Sequence, residues 1–290
     1  MSDFKISICN TADLPESYII ENNLGVISLS YMFDEEVYKR GNDLPEPVFY
    51  NKMRSGMMPT TSQINPDEAR TAYLEYLKDS NEILQIAFSS GLSGSYNSLR
   101  IAAEELMEER DDIKIIVVDS LCASLGEGLL VHKAVQLKKE GKSLEEIVAW
   151  LEEHKLNLVH MFTVDDLFHL HRGGRVSKAA AIIGTMVNIK PILHVDDEGH
   201  LMPLDKVRGR KKSLNCMVDY MDKKVGSYRN NNDAVFISHG DSLEDAEYLS
   251  EEVKKRFEGI ETIIINYVCP TIGAHSGPGT IALFFMGDER

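Results

Sequence analysis

The segment Ile83-Leu84-Gln85-Ile86-Ala87-Phe88-Ser89-Ser90-Gly91-Leu92-Ser93-Gly94-Ser95-Tyr96 runs from an apolar stretch straight into hydroxyls and two glycines. The apolar part reads as a buried strand. Between residues 97 and 110, Leu99, Ile101, Ala102, Leu106 and Met107 recur near helical spacing, so a helix follows the loop. Glycine lets a backbone turn sharply and lets a ligand come close. Free N–H groups at the head of a helix favour an anion. Two readings stand for this loop: an ordinary strand-to-helix turn with a serine N-cap, or a seat for a small anionic head group.

The same alternation extends to both sides. Phe4-Lys5-Ile6-Ser7-Ile8-Cys9 alternates as a first strand, followed by a turn over 10–15 and a short helix over 16–22. Residues 26–31 read as a second strand and 46–63 as irregular. Asn65-Pro66 opens a helix as N-cap and first helical residue. Residues 113–119 form another apolar strand, and helices are expected over 121–139 and 143–157. Ser143 and Glu146 have capping-box spacing. Strands alternating with helices indicate βαβ units and a mainly parallel sheet. In such sheets the ligand crevice lies beyond the carboxyl ends of the strands, where Ser93 and the turn 10–13 would both sit. Further on, the pattern gives strands at 158–164, 190–195, 200–204, 235–239, 262–268 and 281–285. Helices are read at 178–187, 213–223 and 243–257, and a Gly/Pro-rich loop over 269–279.

A chain of 290 residues forms one large domain or two ordinary ones. The change of character near residue 160 suggests two, 1–160 and 161–290. The net charge of −15 argues against general binding to nucleic acid. Cys9, Cys122, Cys216 and Cys269 form no CxxC or Cys/His ligand spacing, so reduced thiols in a cytoplasmic protein are expected and no metal site is indicated. Met1-Ser2-Asp3-Phe4-Lys5 lacks a basic start and long apolar stretch. No run approaches the roughly 18 apolar residues of a spanning helix, so stable membrane insertion is not expected and contact with a membrane would be at most transient.

The 89–96 loop and four further segments carry chemistry-bearing residues. Gly91-Leu92-Ser93-Gly94-Ser95 departs from a G-x-S-x-G nucleophile elbow because Ser95 replaces the last glycine. Even so, Ser93, His275 and Asp119 could form a triad, which keeps a hydrolase or phosphotransferase acting on an acyl or phosphorylated small molecule as the alternative. No Gly-Lys-Ser/Thr closes this glycine stretch, so it is not a P-loop. Thr61-Ser62-Gln63 is a surface turn or a pair of donors to a carboxylate or phosphate. Arg172-Gly173-Gly174-Arg175 is a charged linker or a close-approach loop with fork donors. His275, within Ile272-Gly273-Ala274-His275-Ser276-Gly277-Pro278-Gly279, is structural or is placed to touch a ligand. The five basic residues between Lys206 and Lys212 are a solvated turn or a docking patch.

Taken together and in order, these motifs resemble the DegV-like fatty-acid-binding proteins of bacteria. The match runs through Thr11-Ala12-Asp13-Leu14-Pro15, Pro59-Thr60-Thr61-Ser62-Gln63, the 89–96 loop, Arg172-Gly173-Gly174-Arg175-Val176-Ser177, Lys190-Pro191-Ile192-Leu193 and the 273–279 segment. The resemblance implies an α/β fold of two domains: a mainly parallel three-layer α/β/α N-terminal domain and a smaller α/β C-terminal domain, with one fatty acid between them. It implies a non-catalytic lipid-binding subunit without cofactor, serving a fatty acid kinase that makes acyl phosphate for phospholipid synthesis. Thr61, Ser62, Ser93 and His275 match the carboxylate-binding positions. Gly94, Arg172 and Gly277 are given head-group or structural roles, and Arg208 is matched to engagement with the kinase. Cys9-Asn10 stand where the family usually has Asp-Ser, which leaves the first turn without an assigned role. Phe162, Leu167, Ile182, Ile183, Met186, Val187 and Ile192 are read as tunnel walls or as plain core.

Overall fold

Apolar-rich or alternating runs, bounded by turn residues, form the strands of a sheet covered on both faces. In the computed structural model, which describes residues 4–177 and 188–290, four such runs pair in parallel in the order β2 (Gly25–Ile27), β1 (Lys5–Cys9), β6 (Glu82–Ala87), β7 (Lys114–Asp119). Their carboxyl ends therefore share one edge, which carries the turn 10–13, the loop 88–94 and the loop 120–124. Helices α3 (Pro66–Tyr76) and α4 (Ser95–Glu109) cover one face of this sheet. Helices α5 (Leu125–Lys139) and α6 (Leu144–His154) cover the other, and α1 (Glu16–Glu21) sits beside them. Two expected caps are present as full capping boxes, Asn65 with Glu68 and Ser143 with Glu146, whereas α4 starts from Gly94 with no side-chain cap in place of the serine N-cap read for its loop.

Residues 125–131 of α5 are all buried, a helix covered all round. The reason lies beyond it, where a second sheet packs on its other side. That sheet has the order β10 (Leu201–Arg208), β9 (Ile189–Val195), β8 (Leu158–Thr163), β13 (Ile281–Met286), β11 (Ala234–His239), β12 (Thr262–Tyr267). Only β11 and β12 pair in parallel; the other pairs are antiparallel. Helices α8 (Arg210–Lys224) and α9 (Leu243–Arg256) cover its far face. The short α7 (Phe168–Arg172) and α10 (Pro270–Ser276) lie near its carboxyl-end loops. The expected α/β architecture with a parallel sheet is observed, and residue 160 falls inside β8.

Three expectations are corrected. The strand read over 26–31 is split between two sheets. β2 joins the parallel sheet, while β3 (Ser30–Phe33) joins a small antiparallel sheet, β4 (Glu36–Tyr38), β3, β5 (Thr60–Ser62). The segment 46–63 is not irregular: it holds α2 (Glu46–Arg54) and β5. An aromatic cluster of Tyr31, Phe33, Phe49 and Tyr50 packs α2 on the small sheet and on Ala274. The loop read over 269–279 contains α10, with Pro270 in its first turn and Gly277 at its end. The expected helix 178–187 lies outside the described residues.

Candidate functional site

Loops leaving β6 and β7 meet β5, α10 and the inner face of the second sheet around a cavity of about 600 Å³. Its apolar wall includes Leu29, Phe88, Phe162, Leu170, Ala282 and Phe284. Its polar lining gathers Thr61, Ser62, Ser93, Gly94, Arg175 and His275. Among the described lining residues none is Asp or Glu, and Arg175 is the one permanent ion.

Each polar group has a structural reason for its place. β5 pairs with β3 in the register Ser30↔Ser62 and Tyr31↔Thr61, so the aromatic cluster that buries Tyr31 also fixes Thr61. Thr61 Oγ1 lies 2.8 Å from His275 Nε2. Burial, and then the charges of Arg175 and Arg172, push the His275 imidazole down to about 4, so it is neutral at neutral pH. Adjacent strand residues point to opposite faces; Thr61 is half-buried and Ser62 reaches the cavity from its exposed rim. Ser93 Oγ lies 3.0 Å from Ser95 Oγ and accepts from Ser95 N at 3.2 Å. Ser95 Oγ in turn accepts from Ile64 N, which ties the end of β5 to the head of α4. Ser95 N thus donates to Ser93 Oγ, which still has a hydroxyl proton to give, to Ser95 Oγ or to a ligand.

Arg172, given either a head-group or a structural role by sequence, does not line the cavity. It donates to Ala274 O at 3.2 Å and joins α7 to α10. Arg175, which sequence left unassigned, does line it. Its Nε donates to Leu92 O at 3.2 Å and its Nη1 to Gly173 O. The two arginines of one motif are separated by the turn Gly173-Gly174, in which Gly174 has a φ of 75°. Their spacing alone gave no sign of which one turns inward. Gly94 belongs to the cavity wall, and a Cβ there would meet the Gln63 side chain at 2.3 Å. Gly277 ends α10 with a φ of 79° and packs against His169, outside the cavity. Arg208 is not brought into the cluster: it is exposed at the far end of β10, whose first residue, Leu201, is a wall residue. Seven residue steps along the strand separate them, roughly 23 Å.

Of the residues read as walls or core, Phe162 lines the cavity, while Leu167 and Ile192 are fully packed core. Ile182, Ile183, Met186 and Val187 lie outside the described residues. The turn 10–13 sits at the expected sheet edge but faces a separate polar cleft with Arg40, Asp43, Glu46 and Tyr267. The suggested Ser93–His275–Asp119 set is not assembled: His275 bonds Thr61, and the Asp119 carboxylate accepts from the backbone of Ser90 and Leu121.

Gly173 sets how closely α7 approaches His275. A Cβ there would lie 2.1 Å from His275 Nδ1. Gly173→Ala should therefore displace the ring and break its bond to Thr61, at a cost of about 1–3 kcal/mol of overpacking. A variant structure with the ring unmoved would refute this reading of the contact.

A family model described as "Uncharacterised protein, DegV family" matches residues 3–288. The chain is 44% identical to a DegV domain-containing protein of Clostridium perfringens, an alignment covering 100% of this chain and 99% of the relative. Among solved structures it resembles a DegV family protein from Thermus thermophilus reported for its fatty acid binding, with a TM-score of 0.88 and 28% identity, covering 98% of this chain and 99% of that one. It also resembles DegV of Bacillus subtilis, a fatty acid binding protein, with a TM-score of 0.85 and 30% identity, covering 99% of this chain and 100% of that one.

Proposed function

The chain belongs to the DegV family, and we propose that it holds one long-chain fatty acid in this cavity and presents the carboxylate to a fatty acid kinase. The observation that carries the reading is a single cavity with an apolar wall, a cluster of neutral donors and one arginine, and no acidic residue among its described lining. A chain of about sixteen carbons, at about 0.8 kcal/mol per buried CH₂, gains roughly 12 kcal/mol before the costs of ordering. That gain suits an acyl tail. Burying the carboxylate without donors would cost several kcal/mol. Thr61, Ser93 and the neutral His275 supply donors that hold the oxygens without a tight ion pair, and Arg175 adds positive potential from the side.

In this reading the tail lies between two lobes divided near residue 160, and Phe162, Ala282 and Phe284 form part of its wall. The head group lies where hydroxyls reach the rim, so a partner enzyme can approach it. Phosphoryl transfer from ATP to the carboxylate would be the kinase's chemistry, giving acyl phosphate for phospholipid synthesis. This chain would contribute binding and orientation without a cofactor. Arg208, exposed in a basic segment of an acidic chain, suits docking to that kinase. A cytoplasmic location fits this role.

Denaturing extraction of the purified protein followed by mass spectrometry should yield fatty acid close to one per chain. Protein that carries none, and takes up none when offered palmitate, defeats the proposal. Arg208→Ala should bind palmitate as the parent does and lower acyl-phosphate formation by the kinase at least tenfold; unchanged turnover would remove the docking role only.

A further inference from the structure

The turn 10–13 contributes nothing to the acyl cavity, yet Asp13 at its end is only 5% exposed. We infer that Asp13 is the positioning residue of the head-group site: its one carboxyl sets the helix that bears His275 against the turn that walls the cavity. The inference rests on the reading that the acid end of the ligand sits at Thr61, Ser93 and His275.

The geometry is specific. One Asp13 oxygen accepts from the hydroxyl of Ser124, a cavity-lining residue at the head of α5. The other accepts from Cys269 N at 3.1 Å, immediately before α10. The Asp13 carbonyl accepts from Asn266 Nδ2 at 2.7 Å, on β12. Ser124 Oγ also lies 2.7 Å from Ser238 Oγ on β11. One residue of the turn after β1 thus reaches the head of α5, strand β12 and the residue that leads into α10.

Two features make this junction more than ordinary packing. Ser124 has φ 57° and ψ −145°, a region that side-chain-bearing residues rarely occupy without being held. Its side chain is held between Asp13 and Ser238. Second, α10 has only seven residues, too few to persist on its own hydrogen bonds. Its orientation depends on its anchors: Asp13 to Cys269, Tyr50 to Val268 O at 2.8 Å and Arg172 to Ala274 O. His275 is the sixth residue of that helix. A carboxyl offers acceptors to two separate donors, whereas an amide turns an N–H₂ toward one of them. The titratable groups facing Asp13 are Glu127 from α5, Glu46 and Tyr50 from α2, and the Cys269 thiol. Glu16, Arg40 and Asp43 share its polar cleft.

The test uses unliganded and palmitate-loaded full-length protein, as parent, Asp13→Asn and Ser124→Ala. The His275 ring proton is assigned by its absence in His275→Gln and followed by NMR against pH. In the parent it should titrate near pH 4. At pH 8, where the Asp13 carboxyl is ionised, the His275 ring signal of Asp13→Asn should move from its parent position, and isotope-labelled palmitate should leave at least about tenfold faster, as expected for losing bonds to a charged group. Ser124→Ala, which keeps the Cys269 bond, should give a smaller shift in the same direction, and it decides the matter if Asp13→Asn does not fold. A parent-like ring signal and release rate in both variants overturns the positioning role while leaving fatty-acid binding intact. If the parent binds no palmitate, the function falls, but the ring signal of the unliganded variants still decides what Asp13 positions.

Discussion

Thr61→Val combined with His275→Ala should weaken fatty-acid binding at least 100-fold while leaving the fold in place. The two side chains meet at 2.8 Å and face one cavity, so they act as a unit. A hydrogen bond to a charged group contributes about 1.5–3 kcal/mol, and removing both donors withdraws roughly 3–5 kcal/mol. Each 1.4 kcal/mol is tenfold in affinity, so the lower end of that range already exceeds 100-fold. Single variants should lose less than half of this in free energy, because the surviving partner can swing to the carboxylate. Such non-additivity is expected of groups in direct contact. Neither residue belongs to a core cluster, so circular dichroism and the urea midpoint should stay near those of the parent. Co-purified lipid and the dissociation constant for palmitate provide the measurement. A double variant that still purifies fully loaded would place the acid end elsewhere along the cavity.

The sequence made the parallel sheet legible because its strands are apolar or alternating runs and two of its helices, α3 and α6, carry their own capping boxes. Asn65 and Ser143 act through contacts three residues away, which a reader of sequence can see. The failures have a different origin. The chain leaves the parallel sheet after Ile27 because Asn10 grips Leu29, with Leu29 N donating to Asn10 Oδ1 at 2.9 Å and Asn10 Nδ2 to Leu29 O at 3.3 Å. That contact spans nineteen residues and leaves no turn signal in the run itself. Proline and glycine around α2 and α10 were read as loop composition, when Pro45, Pro270 and Gly277 mark helix ends. The cavity-lining residues Thr61, Ser62, Ser93 and His275 could be singled out one by one, since hydroxyls and a histidine in glycine-rich company are conspicuous, while a role for them came only from the resemblance. Which arginine of residues 172–175 faces inward depended on a left-handed glycine between them, and the part played by Asp13 depended on three elements more than a hundred residues away.

The stability of this protein should carry an unusual pH signature, and Asp13 is one of its two buried sources, with Glu127. Burial pushes this carboxyl up from its ordinary 3.8 to about 7, although Ser124 and Cys269 pull it back. A group whose folded value is raised favours the folded state when protonated. Its contribution is therefore complete below about pH 4 and is lost as the pH climbs through about 7. Three units correspond to about 4 kcal/mol in all, of which ~2–3 kcal/mol falls between pH 5 and 8. Glu127 is buried beside it, accepting from Thr11 Oγ1 at 2.8 Å and from Cys9 N, and burial raises it in the same sense. Surface carboxylates such as Glu109 and Asp112, held low by Arg70 and Arg110, act in the opposite direction. Comparing the parent with Asp13→Asn cancels them. The amide variant starts with an offset from its lost bond, but it cannot ionise. Urea unfolding should show its stability relative to the parent improving by ~2–3 kcal/mol between pH 5 and 8. A difference that stays constant across that range would mean Asp13 is ionised in the folded state throughout, held by Ser124 and Cys269 strongly enough to cancel the cost of its burial.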